Sequence, residues 1–196
     1  MNQPASNLQR RQFLKNCAGG LCICAAVCTI TPALSLAAET KVPEDWRLPF
    51  IKRRYAKLLE ILVSQTDEKT ADAILEQLGR HCASENKLTQ QHVGDVDGFI
   101  REFKQRANED ITYDREKNVI TVVGPERGDC YCPLIDRSKT SSRACNCSLG
   151  WQQYTYETLL GKKVQVALKE SVLRGGKRCV FEIRVLESPP NRAMPS

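Results

Sequence analysis

The stretch from Cys130 to Cys179 decides how the rest of the chain is interpreted. It opens with Cys130-Tyr131-Cys132, continues to Cys145-Asn146-Cys147-Ser148-Leu149-Gly150-Trp151, and closes with Gly175-Gly176-Lys177-Arg178-Cys179. Two Cys-x-Cys pairs and a distant fifth cysteine are too many thiols for ordinary core packing. We interpret the stretch as a metal or disulfide centre built onto a small mixed sheet.

The two Cys-x-Cys pairs offer a metal four thiolates from two short segments, namely Cys130, Cys132, Cys145 and Cys147. Tetrahedral zinc takes four Cys or His ligands, and four thiolates also hold iron–sulfur clusters. We therefore expect zinc first and an iron–sulfur cluster second. Cys179 and Cys82 are further candidate ligands, although Cys82 is also interpreted as a small hydrophobic residue buried in the core.

A disulfide framework is the competing interpretation of the same cysteines. The chain has ten cysteines, of which four lie in a predicted leader and six follow it. Six cysteines permit fifteen pairings, and disulfides persist in exported proteins. Neighbours in a Cys-x-Cys pair seldom bond to each other, so any bridges would join the first pair to the second.

The first residues resemble a twin-arginine export signal. In Gln9-Arg10-Arg11-Gln12-Phe13-Leu14-Lys15, the family pattern is met at Arg10, Arg11, Phe13 and Leu14 and is missed at Gln9. An apolar run over 16–36 follows, and small residues at Ser35 and Ala37 favour cleavage after Ala37. The resemblance implies that the twin-arginine translocase exports the protein, already folded, to the periplasm or another place outside the cytoplasm. If the leader is not cleaved, its apolar run is long enough to anchor the chain in a membrane.

We divide the chain into a signal peptide over 1–37, one domain over 38–187 and a proline-rich disordered tail over 188–196. The formal charge is +6, and removal of Arg10, Arg11 and Lys15 with the leader leaves +3. No block of basic residues appears, so no nucleic-acid partner is expected.

Hydrophobic periodicity predicts the order of elements in the domain. The predicted helices cover 44–64, 67–84, 95–108 and 146–160, and the predicted strands cover 111–113, 119–123, 164–168 and 180–185. Thr66 is the predicted cap of the second helix. Its predicted buried face consists of Ala71, Ile74, Leu75, Leu78 and Cys82. This order favours an α+β fold in which helices pack on one face of a four-stranded antiparallel sheet, with a cysteine-rich loop over 124–144.

The last quarter of the chain is similar to the vinyl reductase-like small-molecule-binding domain. The likeness rests on Cys147-Ser148-Leu149-Gly150-Trp151, Leu160-Gly161, Ser171 and Gly176-Lys177-Arg178-Cys179. That superfamily includes effector domains of aromatic-responsive activators, TRAPP trafficking subunits and an amino-thiazoline-carboxylate hydrolase relative. The resemblance implies a pocket between helices and sheet, with a structural zinc beside it. Cys147 matches the first zinc ligand and Cys179 the last, whereas the middle ligand falls on Ser171, whose hydroxyl is a poor zinc ligand.

Three functions follow from these patterns. The first is an exported domain whose metal centre binds an unknown small molecule or serves as an accessory subunit. The second is a hydrolase of a small C–N or C–S substrate that uses a thiol or metal-bound water as nucleophile. The third is a disulfide-stapled interaction domain. No catalytic residue is assigned, and a homodimer is one of the assemblies that we consider.

Overall fold

The structure is a computed structural model, and it describes residues 45–187. The signal peptide predicted over 1–37 and the tail predicted over 188–196 lie outside the described residues. Within residues 45–187 there are five α-helices: α1 Arg47–Gln65, α2 Glu68–Ser84, α3 Lys87–Gln91, α4 Val96–Ala107 and α5 Cys145–Leu160. Four strands are present: β1 Asp110–Asp114, β2 Val119–Val123, β3 Val164–Glu170 and β4 Val180–Val185.

The four strands form one antiparallel sheet in the order β1-β2-β4-β3. Alternation along the strands separates the two faces of the sheet. Ile120 and Val122 of β2 are buried together with Phe181 and Ile183 of β4, whereas Arg184 is exposed. The buried face packs against aromatic and aliphatic side chains of α4 and α5. The predicted α+β fold is therefore confirmed.

The buried face of α2 differs from the predicted one. Ala71 and Leu75 are buried as expected, but Ile74 and Leu78 are 45% and 37% exposed. Gly79 and Ala83 are buried in their place. These residues are small enough for α5 to pack closely along α2. As a result, α2 presents its small side chains to α5, and its large side chains Ile74 and Leu78 face away. Cys82 is consequently exposed, and its interpretation as a buried core residue is wrong.

Most of the large apolar side chains of α1 and of the residue before it are also exposed. Leu59 is the one buried residue of this helix. It belongs to a small core cluster, and Tyr55 and Leu62 pack against that cluster. The exposed apolar residues of the segment are Trp46, Leu48, Phe50, Ile51, Leu58 and Ile61. Within residues 45–187 no helix is both long and apolar enough to cross a membrane.

Two local predictions at helix starts need correction. The cap of α2 is Asp67, whose side chain accepts a hydrogen bond from the backbone N–H of Thr70, rather than the predicted Thr66. The short helix α3 was not predicted, because five residues are too few to show a helical period. Asn86 caps it by accepting from the N–H groups of Leu88 and Thr89.

The cysteine-rich loop after β2 is tied to the sheet at its start. The N–H of Gly124 donates to the carbonyl of Cys179 at 2.9 Å, and the N–H of Arg127 donates to the carbonyl of Lys177 at 3.0 Å. Farther along, Ile135 is 5% exposed and belongs to the core cluster that Tyr55 and Leu62 pack against. These anchors hold Cys130 and Cys132 between the sheet and α1.

Candidate metal and thiol site

The six cysteines of the described region converge from four places in the fold. Cys82 lies on α2, and Cys130 and Cys132 lie in the loop before α5. The remaining three occupy the first turn of α5 and the residue before β4, namely Cys145, Cys147 and Cys179. All six are free thiols. All except Cys82 line one cavity beneath α1, together with Tyr55 and Ser171.

The first turn of α5 directs its two cysteines to different neighbours. Successive helix residues are about 100° apart, so residues two apart point about 200° apart. Cys145 faces the sheet side, where its Sγ lies 3.1 Å from the Oγ of Ser171. Cys147 lies on the side that faces α2. The Cys-x-Cys spacing on a helix therefore divides the cysteines into two groups.

Close packing between α2 and α5 brings Cys82 toward Cys147. A Cβ atom added to Gly79 of α2 would lie 1.7 Å from the backbone oxygen of Cys147. A Cβ atom added to Gly150 of α5 would lie 1.9 Å from the backbone oxygen of Glu76. Gly79 and Gly150 thus allow the backbones of the two helices to approach closely, which brings Cys82 and Cys147 to the same side of the fold.

Cys130, Cys132 and Cys147 line the cavity together with Tyr55, and Cys82 acts on the same tyrosine from α2. We call these four the thiol quartet. Burial raises the pKa of Tyr55, and negative charge on each of the four thiols raises it further. The quartet thus comes from three separate segments, and its charges act on one point.

The quartet thiols also act on one another. Burial raises the pKa of Cys147 to about 12, with further contributions from the charges of Cys82, Cys132 and Cys130. Burial likewise raises the pKa of Cys132; backbone hydrogen bonds with Leu134 and Ile135 oppose this, and the charges of Cys130 and Cys82 add to it. In the absence of a cation, Cys147 and Cys132 are therefore protonated at neutral pH.

The other two cysteines, which we call the thiol pair, have a different environment. Burial raises the pKa of Cys145, but the hydrogen bond with Ser171 and the charge of Arg174 oppose this. Burial raises the pKa of Cys179, whereas the backbone N–H of Val172 and the charge of Arg127 lower it. Hydrogen bonds and guanidinium charges thus offset part of the effect of burial on both members of the pair.

The donor chemistry of the quartet fits a thiophilic metal, but the sulfur atoms do not yet form a coordination shell. Thiolates are preferred ligands of zinc and of iron–sulfur clusters. As the side chains lie, however, no three or more His, Cys, Asp or Glu residues within 45–187 are arranged to hold a metal ion. Metal binding would therefore require the quartet side chains to turn toward one centre.

The cavity is small and lacks ordinary acid–base residues. Its volume is about 40 Å³, which is room for a few water-sized groups and far less than organic ligands occupy. The described residues that line it include no His, Asp or Glu. The two histidines pair elsewhere, His92 with Glu102 at 2.8 Å and His81 with Glu85 at 3.8 Å. This lining does not favour the hydrolase hypothesis, since no general base lies beside a thiol.

The structure brings most of the predicted ligands to one cavity. Cys145, which the sequence hypothesis grouped with Cys130, Cys132 and Cys147, lines the same cavity as those three, and its Sγ lies against Ser171. The positions implied by the family resemblance, Cys147, Ser171 and Cys179, line this cavity as well, whereas Cys82 does not. Tyr55 was not among the site residues predicted from the sequence. Its hydroxyl group, standing alone among aliphatic side chains, was the signal that could have identified it.

Comparison with known proteins finds similarity at the level of structure only. No protein-family model matches the chain, and no curated protein matches it significantly. The structure is similar to a trafficking protein particle complex subunit 3 from Naegleria fowleri covalently bound to palmitic acid. The TM-score is 0.48 at 15% identity, and the match covers 74% of this chain and 98% of that chain.

The structure is also similar to a vinyl-4-reductase family protein from Methanocaldococcus jannaschii. Here the TM-score is 0.37 at 14% identity, and the match covers 71% of this chain and 82% of that chain. Both neighbours come from groups that the sequence resemblance named. Scores and identities this low establish neither a family nor a shared ligand, so the site is interpreted from its own residues.

Proposed function

We propose that this protein is an exported metal-binding domain that holds one thiophilic ion through the thiol quartet. Zinc is the first choice because it takes four thiolates in a closed tetrahedral shell. An iron–sulfur cluster remains the second choice for the same donors. The ion would be loaded before export if the leader acts as the twin-arginine signal that it resembles.

The observation that carries this proposal is that Cys130, Cys132 and Cys147 line one cavity with Tyr55, on which the charge of Cys82 also acts. Thiols that raise one another's pKa repel each other when ionised, and a divalent cation would remove that repulsion. Cys82 is exposed, which gives an ion a route to the site from solvent.

A closed shell of four thiolates supports a structural or accessory role rather than hydrolysis. Catalytic zinc sites keep a position open for water, and the described lining supplies no base beside it. The cavity volume of about 40 Å³ supports a bound ion or a ligand of a few atoms. When bound, the metal would link α2, the cysteine-rich loop and α5 through one centre.

Titration of the reduced, metal-free protein with Co²⁺ tests the proposal. We expect thiolate-to-cobalt charge-transfer bands and the visible bands of tetrahedral cobalt, both saturating at about one ion per chain and both displaced by Zn²⁺. Cys132→Ser and Cys147→Ser should weaken or abolish these bands. Cys179→Ser is the matched control and should retain them.

Two results would overturn the assignment. Wild-type protein that binds no cobalt while fully reduced would remove the metal site altogether. Bands that survive in Cys147→Ser and disappear in Cys179→Ser would place the metal on other thiols. Circular dichroism of each variant shows whether a loss of binding arises from unfolding.

A further inference from the structure

The outward side of α1 is both apolar and basic, and the proposed metal site does not use it. Five residues recur at spacings of four, four, four and three, which places them on one side of the helix: Trp46, Phe50, Arg54, Leu58 and Ile61. The four apolar members are between 37% and 67% exposed. Tyr55, Leu59 and Leu62 lie on the opposite side and join the small core cluster. The helix therefore has a second apolar side that the described fold does not cover.

The side chains on this outward side contact one another. The rings of Trp46 and Phe50 meet edge to face with their centroids 5.6 Å apart, and the guanidinium carbon of Arg54 lies 5.0 Å from the centre of the Phe50 ring. A guanidinium group over an aromatic ring can remain beside apolar groups while its nitrogens reach polar ones. Aromatic, aliphatic and basic side chains together are typical of helices that lie in the interface of a membrane.

Positive charge is concentrated on this helix. It has five basic residues and one acidic residue, a net charge of +4, whereas the whole chain without its predicted leader carries +3. Two of the basic residues form ion pairs, with Asp45 at 3.5 Å and with Glu60 at 2.6 Å, but Lys52, Arg53 and Arg54 have none among residues 45–187. A second copy docked through the same side would bring these positive charges together, whereas an anionic surface would neutralise them.

Two of these unpaired cations also border a surface cavity of about 150 Å³. Lys52 and Arg53 line it from α1, and Asp136 and Lys139 line it from the cysteine-rich loop. The two loop residues pair with each other at 3.2 Å, so the charges of Lys52 and Arg53 remain available to a ligand. Leu48 lines the cavity as well. A phosphate group in this cavity would thus meet positive charge next to an apolar side chain.

We propose that α1 is a membrane-binding helix whose outward side lies on an anionic phospholipid surface. The exposed apolar residues enter the boundary between headgroups and acyl chains, and Lys52, Arg53 and Arg54 contact lipid phosphates. The apolar run over 16–36 ends ten residues before Trp46, which keeps Trp46 within about 35 Å of that run. If the leader anchors the chain, α1 is the first described helix within reach of the bilayer. The proposal does not depend on the metal site.

Fluorescence of the full-length protein mixed with phospholipid vesicles tests this proposal. The chain has two tryptophans; Trp46 is 67% exposed, and Trp151 packs against Phe103 with the ring centroids 6.0 Å apart. Vesicles of phosphatidylcholine and brominated phosphatidylglycerol in equal parts should shift the emission of Trp46 to shorter wavelength and quench most of it. Trp46→Phe retains only Trp151 and should show neither change.

Charge variants test whether the helix recognises anionic lipid. Arg53→Gln combined with Arg54→Gln should weaken the binding measured by this quenching about 25-fold, since each basic residue near an anionic surface contributes about fivefold. Lys87→Gln combined with Lys162→Gln is the matched control, because it removes two exposed charges from outside α1 and should change the affinity little. A leader that inserts into the bilayer by itself would not produce this difference between the two double variants.

Three results would overturn the proposal. Trp46 emission that does not respond to anionic vesicles, even in protein that sediments with them through its leader, would show that α1 does not lie on the bilayer. Equal quenching with and without phosphatidylglycerol, or equal affinity in the two double variants, would contradict recognition of an anionic surface. A stable dimer whose Trp46 emission is already at short wavelength without vesicles would assign this side of α1 to a second copy of the chain.

Discussion

Gly79 of α2 faces the backbone carbonyl of Cys147 so closely that a Cβ atom at Gly79 would lie 1.7 Å from the carbonyl oxygen. The contact fixes the distance between the helices that carry Cys82 and Cys147. Because a backbone oxygen cannot move aside as a flexible side chain can, this position admits only glycine. The geometry of the proposed metal site therefore depends on a residue that has no donor atom.

Gly79→Ala should destabilise the protein and weaken metal binding together. Alanine is the better helix former by about 0.5–1 kcal/mol, but forcing α2 away from α5 should cost about 3 kcal/mol or more. Urea denaturation measures the first effect and Co²⁺ titration the second. Gly128→Ala is the matched control, since nothing lies within 4 Å of its added Cβ. Unchanged stability in Gly79→Ala would show that the helices are not packed as described.

Metal binding should release protons and strengthen as the pH rises. The raised pKa of Cys147, about 12, keeps this thiol protonated at neutral pH until a metal replaces the proton. Apparent zinc affinity should therefore increase with pH across the neutral range. Calorimetric titrations in two buffers of different ionisation enthalpy measure the number of protons released. Binding that is independent of both pH and buffer would contradict thiolate ligation.

Tyr55 is expected to enclose the quartet without supplying a ligand. Tyr55→Phe retains the ring and should leave zinc stoichiometry and stability nearly unchanged. Tyr55→Ala removes the half-buried ring, which should cost roughly 2 kcal/mol and speed the loss of zinc to a chelator. Dissociation rates measured with a chromogenic chelator distinguish the two variants. If Tyr55→Phe loses zinc as fast as Tyr55→Ala, the hydroxyl group of Tyr55 is a metal ligand and this prediction is wrong.

Ser171→Ala tests whether the ligand position implied by the family resemblance is used. The Oγ of Ser171 lies 3.1 Å from the Sγ of Cys145 and accepts a hydrogen bond from the N–H of Leu173 at 3.1 Å. The substitution removes both hydrogen bonds, so it should cost about 1–3 kcal/mol and leave zinc content unchanged. Elemental analysis and thermal unfolding of the variant give both quantities. Loss of zinc from a variant that remains folded would show that Ser171 is a metal ligand.

The sheet and most helices could be predicted because their signals are local. The structure confirms the alternation of buried and exposed residues in β2 and β4 and the helical period of α4, because each element buries the face that carries its large apolar residues. The buried face of α2 could not be predicted in this way. Ile74 and Leu78 suggested one face, but the small residues Gly79 and Ala83 allow the closer packing and determine the face that is buried.

The composition of the quartet could not be predicted for a related reason. Sequence spacing grouped Cys145 with Cys147, although positions two apart on a helix point in nearly opposite directions. Cys82 is distant in sequence, and only the contact between α2 and α5 brings it toward Cys147, whereas Cys145 lines the same cavity as the other three quartet thiols. A candidate cofactor was thus inferred from residue types, whereas the set of residues that would hold it depends on helix rotation.

The most direct test of the account is elemental analysis of the full-length protein purified from cells without added metal, reductant or chelator. The proposed function predicts about one zinc per chain in the wild type, retained in Cys145→Ser and lost in Cys147→Ser. Protein that contains no metal and no titratable thiols would instead establish a disulfide framework. Zinc that is lost in Cys145→Ser and retained in Cys147→Ser would contradict the thiol quartet as the metal site.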